Sequence, residues 1–337
     1  MNKPVCHLVV GPRKHGVVEY AISVHEALSM HEPGHQRVVI DTPWSPLPSS
    51  LSECGLVHVH VTDRLFGRTP DKASEHLRSV IDAVDRPVSV TLHDLPQPSD
   101  GPSMSARVQF YRDVVLAAAG VIVSSEHEAA LLRTHVDPAA APEVVPLMIE
   151  SRTARAVSPT PASPTVGVLG FLYPGKGHIE TLRAMADLPP EVGFLALGKP
   201  SPGHEDLVDE LHEVAALSGR ACEVTGYLDD HEMQDRIRAV TVPVAYHRHM
   251  SASGSINTWI AHGRRPLVPR GDYTCELDRR SPGVLAMHGN DDDSLRSAIF
   301  DAVADSSSTW LGPETVPFPT SADVADAYAK ALSRWHR

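Results

Sequence analysis

The chain has 337 residues, of which 42% are hydrophobic and 21% charged, and its net charge is −12. That is length for two ordinary domains with cores of their own, in the composition of a soluble globular protein. An acidic balance without a long basic run argues against nucleic acid as a partner, and no apolar run reaches the length of a membrane span.

The four cysteines, Cys6, Cys54, Cys222 and Cys275, are scattered with no CxxC pair, which suits a reduced, cytoplasmic protein. The chain enters a strand-like run at Val5–Val10, so no signal peptide is expected.

Apolar strand-like runs alternate with amphipathic stretches. The runs are 5–10, 37–41, 56–61, 88–92, 120–124 and 143–147, then 165–169, 193–197, 220–224, 241–245 and 266–268. Strand and helix repeated this way predict an α/β protein whose parallel sheets are covered on both faces. Between the two sets lies a stretch rich in proline and small polar residues. The expected organisation is two Rossmann-like, doubly wound domains, 1–150 and 165–319, joined by a linker at 151–164. Val324, Tyr328, Leu332 and Trp335 mark one face of a closing helix, 320–337, which Thr320 or Ser321 could cap. This helix can pack back on the first domain. Ala73, Leu77, Val80, Ile81 and Val84 form another stripe, more often a core face than a lipid face.

Chemistry is expected where strands end, because open α/β sheets bind ligands at the carboxyl ends of their strands. The first strand leads into Gly11-Pro-Arg-Lys-His15-Gly16, where a glycine lets a ligand approach a helix start. The spacing is not GxGxxG, so the dinucleotide fingerprint is missing. The run 88–92 ends in His93-Asp94, and a histidine there can donate a hydrogen bond or pass a proton, or be a structural residue of its loop. Ser124-Ser-Glu-His-Glu128 reads at least as well as a helix cap as a ligand group. His58 with His60, and His247 with His249, alternate on strands, but no third ligand stands at a telling spacing and no metal site is expected.

In the second half, Gly170-Phe-Leu-Tyr-Pro-Gly-Lys176-Gly177 joins a buried strand to a helix. Glycines let backbone N–H groups close on a phosphate, and the lysine adds full charge, although an ordinary turn with a solvated lysine would look the same. The spacing is not that of a Walker loop. Tyr246-His-Arg248-His-Met-Ser251-Ala-Ser253-Gly254-Ser255 also leads from a strand to a helix and offers hydroxyls, free N–H groups and a nearby guanidinium. Two anion-prone loops in one domain favour a diphosphate site. Tyr227, in a turn before the capping Asp229, could stack on a base or pack on its own domain. Asp291-Asp-Asp293 reads as solvated surface.

The order of these motifs resembles the family 4 type of glycosyltransferase with the GT-B architecture. The likeness runs over nearly the whole chain: His15-Gly-Val-x-x-Tyr-Ala21, His93-Asp94, Val123-Ser-Ser-Glu-His-Glu128, Val145-Pro146, Gly170 to Gly177, Thr225-Gly-Tyr-Leu228, and Ser253-Gly254 leading to Ala261-His-Gly-Arg-Arg-Pro-Leu-Val268. The resemblance implies transfer of a sugar, a hexosyl group above all, from a UDP- or GDP-sugar with retention of configuration, in a cleft between two domains. It implies no metal and no cofactor, the nucleotide-sugar being a substrate. The first domain would take a sugar, lipid or small-molecule acceptor, and membrane contact would be at most peripheral, at the inner face. His93 and Lys176 would be catalytic. Gly16, Gly170, Lys176, Tyr227, Arg248, Ser251, Ser253, Gly254 and Ser255 would bind the donor, and His15, Gly16 and His93 the acceptor. Two departures stand out. Gly170 occupies the place of a usual arginine, for which Arg248 is the candidate replacement. Met250 to Trp259 lacks the usual pair of glutamates, Ser251 and Thr258 standing nearest their positions. A catalytically silent sugar-nucleotide binding or assembly partner is the alternative reading.

Overall fold

The computed structural model describes residues 3–150, 163–248 and 250–336. All but the last residues of the expected linker, and His249, lie outside them. The chain divides into two compact units, Met1–Met148 with Pro319–Arg337, and Ile149–Phe318.

The first unit holds β1 (Val5–Val10), β2 (His35–Ile40), β3 (Leu56–Val61), β4 (Val88–Leu92), β5 (Gly120–Val123) and β6 (Glu143–Val144). They form one parallel sheet in the order β2-β1-β3-β4-β5-β6. Every residue of β1, β3 and β4 is buried, as expected for central strands rich in valine and covered on both faces. The chain order reverses between β1 and β3, which makes that junction the switch point.

The second unit holds β7 (Thr165–Leu169), β8 (Gly193–Leu197), β9 (Cys222–Val224), β10 (Val242–Val244), β11 (Leu267–Pro269) and β12 (Ala286–His288). Its sheet is also parallel, in the order β12-β11-β10-β7-β8-β9, with the switch point between β7 and β10. The strands follow the apolar runs closely. β12 was not expected: it is half-buried, and its Ala-Met-His sequence lacks the β-branched residues that mark nearly all the other strands.

The helices bury the faces that their spacing indicated. Pro70–Val84 puts Ala73, Leu77, Val80 and Val84 into the core of the first unit, so that stripe is protein-facing. Ser321–Trp335 is capped by Thr320, whose hydroxyl accepts from the Asp323 N–H. Its Val324, Tyr328 and Leu332 pack with Val24 and Leu28 of the helix Gly16–His31. The run at Asp291 is exposed, as expected, and starts a helix, with Asp291 accepting from Ser294 N–H and its two neighbours in the first turn, where acidic groups suit the helix dipole. No helix among the described residues is long and apolar enough to cross a membrane.

Arg264 closes the second unit from inside. It is fully buried, and its guanidinium donates to the carbonyls of Ile237 at 2.9 Å and Thr241 at 3.0 Å and to Thr309 Oγ1 at 3.0 Å. It lies 4.1 Å from the centre of the Trp310 ring. One planar fork thus ties the end of the helix Asp230–Ala239 to the segment before Trp310. Burial draws its pKa down to about 9, still charged at neutral pH. Arg264→Met removes the donors and leaves buried carbonyls unpaired, so it should lower the unfolding free energy by about 3 kcal/mol, read as a shift in the denaturation midpoint.

Candidate functional site

The two loops that flank the second switch point meet. Gly170 to Gly177 follows β7, and Tyr246 to Ser255 follows β10. Gly177 has φ +94°, and a Cβ there would stand 2.1 Å from the Tyr246 carbonyl oxygen. The Arg248 N–H donates to the Gly175 carbonyl at 3.1 Å. The lysine loop therefore lies on the loop after β10, and only glycine permits the approach.

Lys176 is 6% exposed, and its ammonium donates to Ser255 Oγ at 2.9 Å. Ser255 Oγ is 3.1 Å from Ser253 Oγ, which caps the helix Gly254–Ala261 by accepting from the Ile256 N–H. Gly170, at φ +116°, leaves the space the ammonium needs: a Cβ there would be 3.2 Å from Nζ. The structure thus brings Gly170, Lys176, Ser253, Gly254 and Ser255 together at the carboxyl ends of β7 and β10. Ser251 is buried in the same loop. Tyr227 is half-exposed in the turn after β9, which is tied to β8 by Gly198 N–H donating to Thr225 Oγ1 at 3.1 Å.

Burial pulls the Lys176 pKa down to about 7. Its neighbours are two further imidazoles that sequence reasoning did not place here, His178 and His247. Burial, with Lys176 adding to it, pushes His178 down to about 3 and keeps His247 well below its ordinary value. Neither ring nitrogen of His178, nor Nε2 of His247, has a hydrogen-bond partner among the described residues. Buried polar atoms of that kind ordinarily find water or a ligand. The signal in sequence was the position of His178 directly after the lysine loop. Arg248, by contrast, sends its half-exposed guanidinium to Glu180 at 3.1 Å. Its backbone belongs to the site, while its side chain is already paired.

In the first unit His15 caps the helix Gly16–His31, its Nδ1 accepting from the Val17 N–H at 3.2 Å. Space is open over Gly16 at the first turn. His93 follows β4, with its N–H donating to the Val61 carbonyl at 2.9 Å and its Nε2 3.0 Å from His60 Nδ1. Burial, and then the nearby His15, hold the His93 pKa down to about 3, so the ring is neutral. His58 and His60 point into the same face of the sheet. His58 bonds Ser89 Oγ at 2.9 Å and Thr91 Oγ1 at 3.0 Å, which accounts for its ring nitrogens. Ser125, not Ser124, caps the helix after β5, accepting from Glu128 N–H while Glu128 accepts from Ser124 N–H.

No family model and no curated protein matches the sequence. Solved structures do match in fold. Anabaena Alr3699/HepE in complex with UDP and glucose has a TM-score of 0.67 at 15% identity, over 99% of this chain and 95% of that one. The same protein in complex with UDP-glucose has a TM-score of 0.67 at 16% identity, over the same shares. Sucrose-phosphate synthase from Thermosynechococcus elongatus has a TM-score of 0.65 at 15% identity, also over 99% and 95%. The fold is therefore the two-domain, Rossmann-like fold of the GT-B class.

The burial of Lys176 makes the stability of the protein depend on pH. Between about pH 7 and its ordinary value of 10.5, the folded state binds fewer protons than the unfolded one, so stability rises with pH. Below that window the lysine is charged in both states and its desolvation cost is fully present. Lys176→Met should therefore be more resistant to denaturant than the wild type at about pH 6, with the gap closing toward about pH 10. Equilibrium denaturation at the two pH values checks this, and a gap that does not change with pH would contradict it.

Proposed function

We propose that this protein is a retaining glycosyltransferase that moves a hexosyl group from a UDP- or GDP-sugar to a sugar, lipid or small-molecule acceptor, without a metal ion. The observation that carries the reading is the buried Lys176 ammonium, held by Ser255 beside a capped helix start at the second switch point. The fold adds support, since HepE shares it and has been seen with UDP, glucose and UDP-glucose.

When a glycosidic bond to a nucleoside diphosphate breaks, its electron pair leaves on a phosphate oxygen. Catalysis then needs preorganised positive charge and hydrogen-bond donors at that oxygen. Lys176 supplies the charge, and the first N–H groups of Gly254–Ala261, without intrahelical partners, supply donors. A bound dianion raises the Lys176 pKa and keeps it charged. Arg248 joins only by leaving Glu180. Tyr227 offers a half-exposed ring for a base. His93, His15 and the open turn at Gly16 serve the sugar and acceptor. Retention rests on the family resemblance.

UDP and GDP, added in chelator, should each be tested for a rise in melting temperature. A ligand that binds only the folded state at about 100 times its Kd adds about 2.7 kcal/mol. Lys176→Ala should abolish the rise, and the absence of a shift with either nucleotide in the wild type would remove the donor site. Binding without turnover of any sugar nucleotide would favour the silent binding partner, a reading that the lack of carboxylates in Met250–Trp259 keeps in play.

His93→Ala separates the two halves of the machinery. It should reduce kcat by about 100-fold, as loss of a positioned proton donor does, while the UDP-induced rise in melting temperature is retained. Lost nucleotide binding with intact turnover would contradict the assignment.

A further inference from the structure

We propose that His60 is a positioning residue that fixes the tautomer of His93, donating from its own Nδ1 and leaving the His93 proton on Nδ1. The proposal rests on the reading of His93 as a ligand-facing group.

The two ring planes lie 20° apart with their centres at 5.3 Å, so the rings meet edge to edge, and His60 Nδ1 is 3.0 Å from His93 Nε2. One of these nitrogens carries the shared proton, and the far side of His60 decides which. His60 is buried between the stacked Tyr328 ring at 6.0 Å and the edge of Tyr20 at 5.7 Å. Its Nε2 is buried and has no hydrogen-bond partner among the described residues. A proton on that atom would be an orphaned donor, which costs more than an orphaned lone pair. The proton of His60 therefore sits on Nδ1 and is donated to His93 Nε2. A neutral His93 that accepts at Nε2 must carry its own proton on Nδ1. That nitrogen has no partner among the described residues, so it is the atom left for a ligand. His93 then meets a sugar hydroxyl as a hydrogen-bond donor and not as a base.

The loop that carries His93 is held by other means. Its N–H bonds Val61, the Tyr111 hydroxyl donates to its carbonyl, and Arg107 holds the Asp94 that follows. Replacing His60 should free the ring without releasing the backbone. This separates positioning from a merely structural role.

Imidazole 15N shifts and long-range 15N–1H couplings distinguish the two neutral tautomers directly. In the wild type, His93 should report the proton on Nδ1. His60→Phe keeps a flat ring against Tyr328 but removes the donor, and His93 should move to the Nε2–H form that free imidazole side chains prefer. With a sugar nucleotide that the wild type turns over, kcat should fall by about tenfold with KM little changed. His60→Asn, which restores an N–H near the lost one, should recover the tautomer and most of the rate. A wild-type His93 protonated on Nε2, or an unchanged tautomer in His60→Phe, would overturn the proposal. Failure of nucleotide binding and turnover in the wild type would instead remove the functional reading, and the spectra would still decide the tautomer.

Discussion

A single ammonium kept out of water organises the second domain. Moving Lys176 from solvent into a site where it donates to one hydroxyl is unfavourable, and no carboxylate among the described residues pairs with it. The surroundings accommodate this without neutralising it. Gly170 clears the space, Gly177 lets two loops touch, and Ser253 holds the helix start that directs Ser255. The same burial keeps His178 and His247 uncharged. The site is thus short of negative charge, and an anion entering it would find a counter-charge already desolvated.

The first domain handles buried polarity in the opposite way. Its central strands put His7, His58 and His60 on a face that usually holds aliphatic side chains. His7 bonds His35 at 3.0 Å, His58 bonds Ser89 and Thr91, and the Thr91 hydroxyl is 2.9 Å from that of Tyr328. Imidazole and hydroxyl bond one another with no net charge, leaving only acceptor-capable ring nitrogens such as His60 Nε2 without a partner among the described residues, so the layer beneath His93 is electrically quiet. One domain holds a charge in reserve, and the other presents a neutral ring at a fixed angle.

Much of this was legible in the sequence, for definable reasons. Parallel strands buried on both faces announce themselves as continuous valine-rich runs, and every expected run became a strand. Caps are local, so Thr320 and Asp229 could be read directly. Lys176 stood out because glycines on both sides mark a backbone built for close approach. Partnerships across the sheet were less accessible. Alternation shows that His58 and His60 share a face, but only the adjacency of β3 and β4 sets His60 against His93. Arg248 is the converse case. Its position near the lysine loop was readable, while its pairing with Glu180 depends on how the helix His178–Ala184 turns that carboxylate toward it. β12 escaped notice because Ala286-Met-His288 holds no β-branched residue, whereas the equally short β9, β10 and β11 each carry valine.

The closing helix gives the molecule a temporal order. Tyr328 stacks on His60 and bonds Thr91, and its neighbours cover the helix Gly16–His31, yet it lies beyond the whole second domain in the chain. During synthesis, the histidine layer of the first domain stays uncovered until residue 335 has left the ribosome, by which time Ile149–Phe318 has been made in full. The domain that begins first is therefore completed last. Any chaperone or partner that recognises nascent chains would meet an unfinished sheet with its polar layer open on one side.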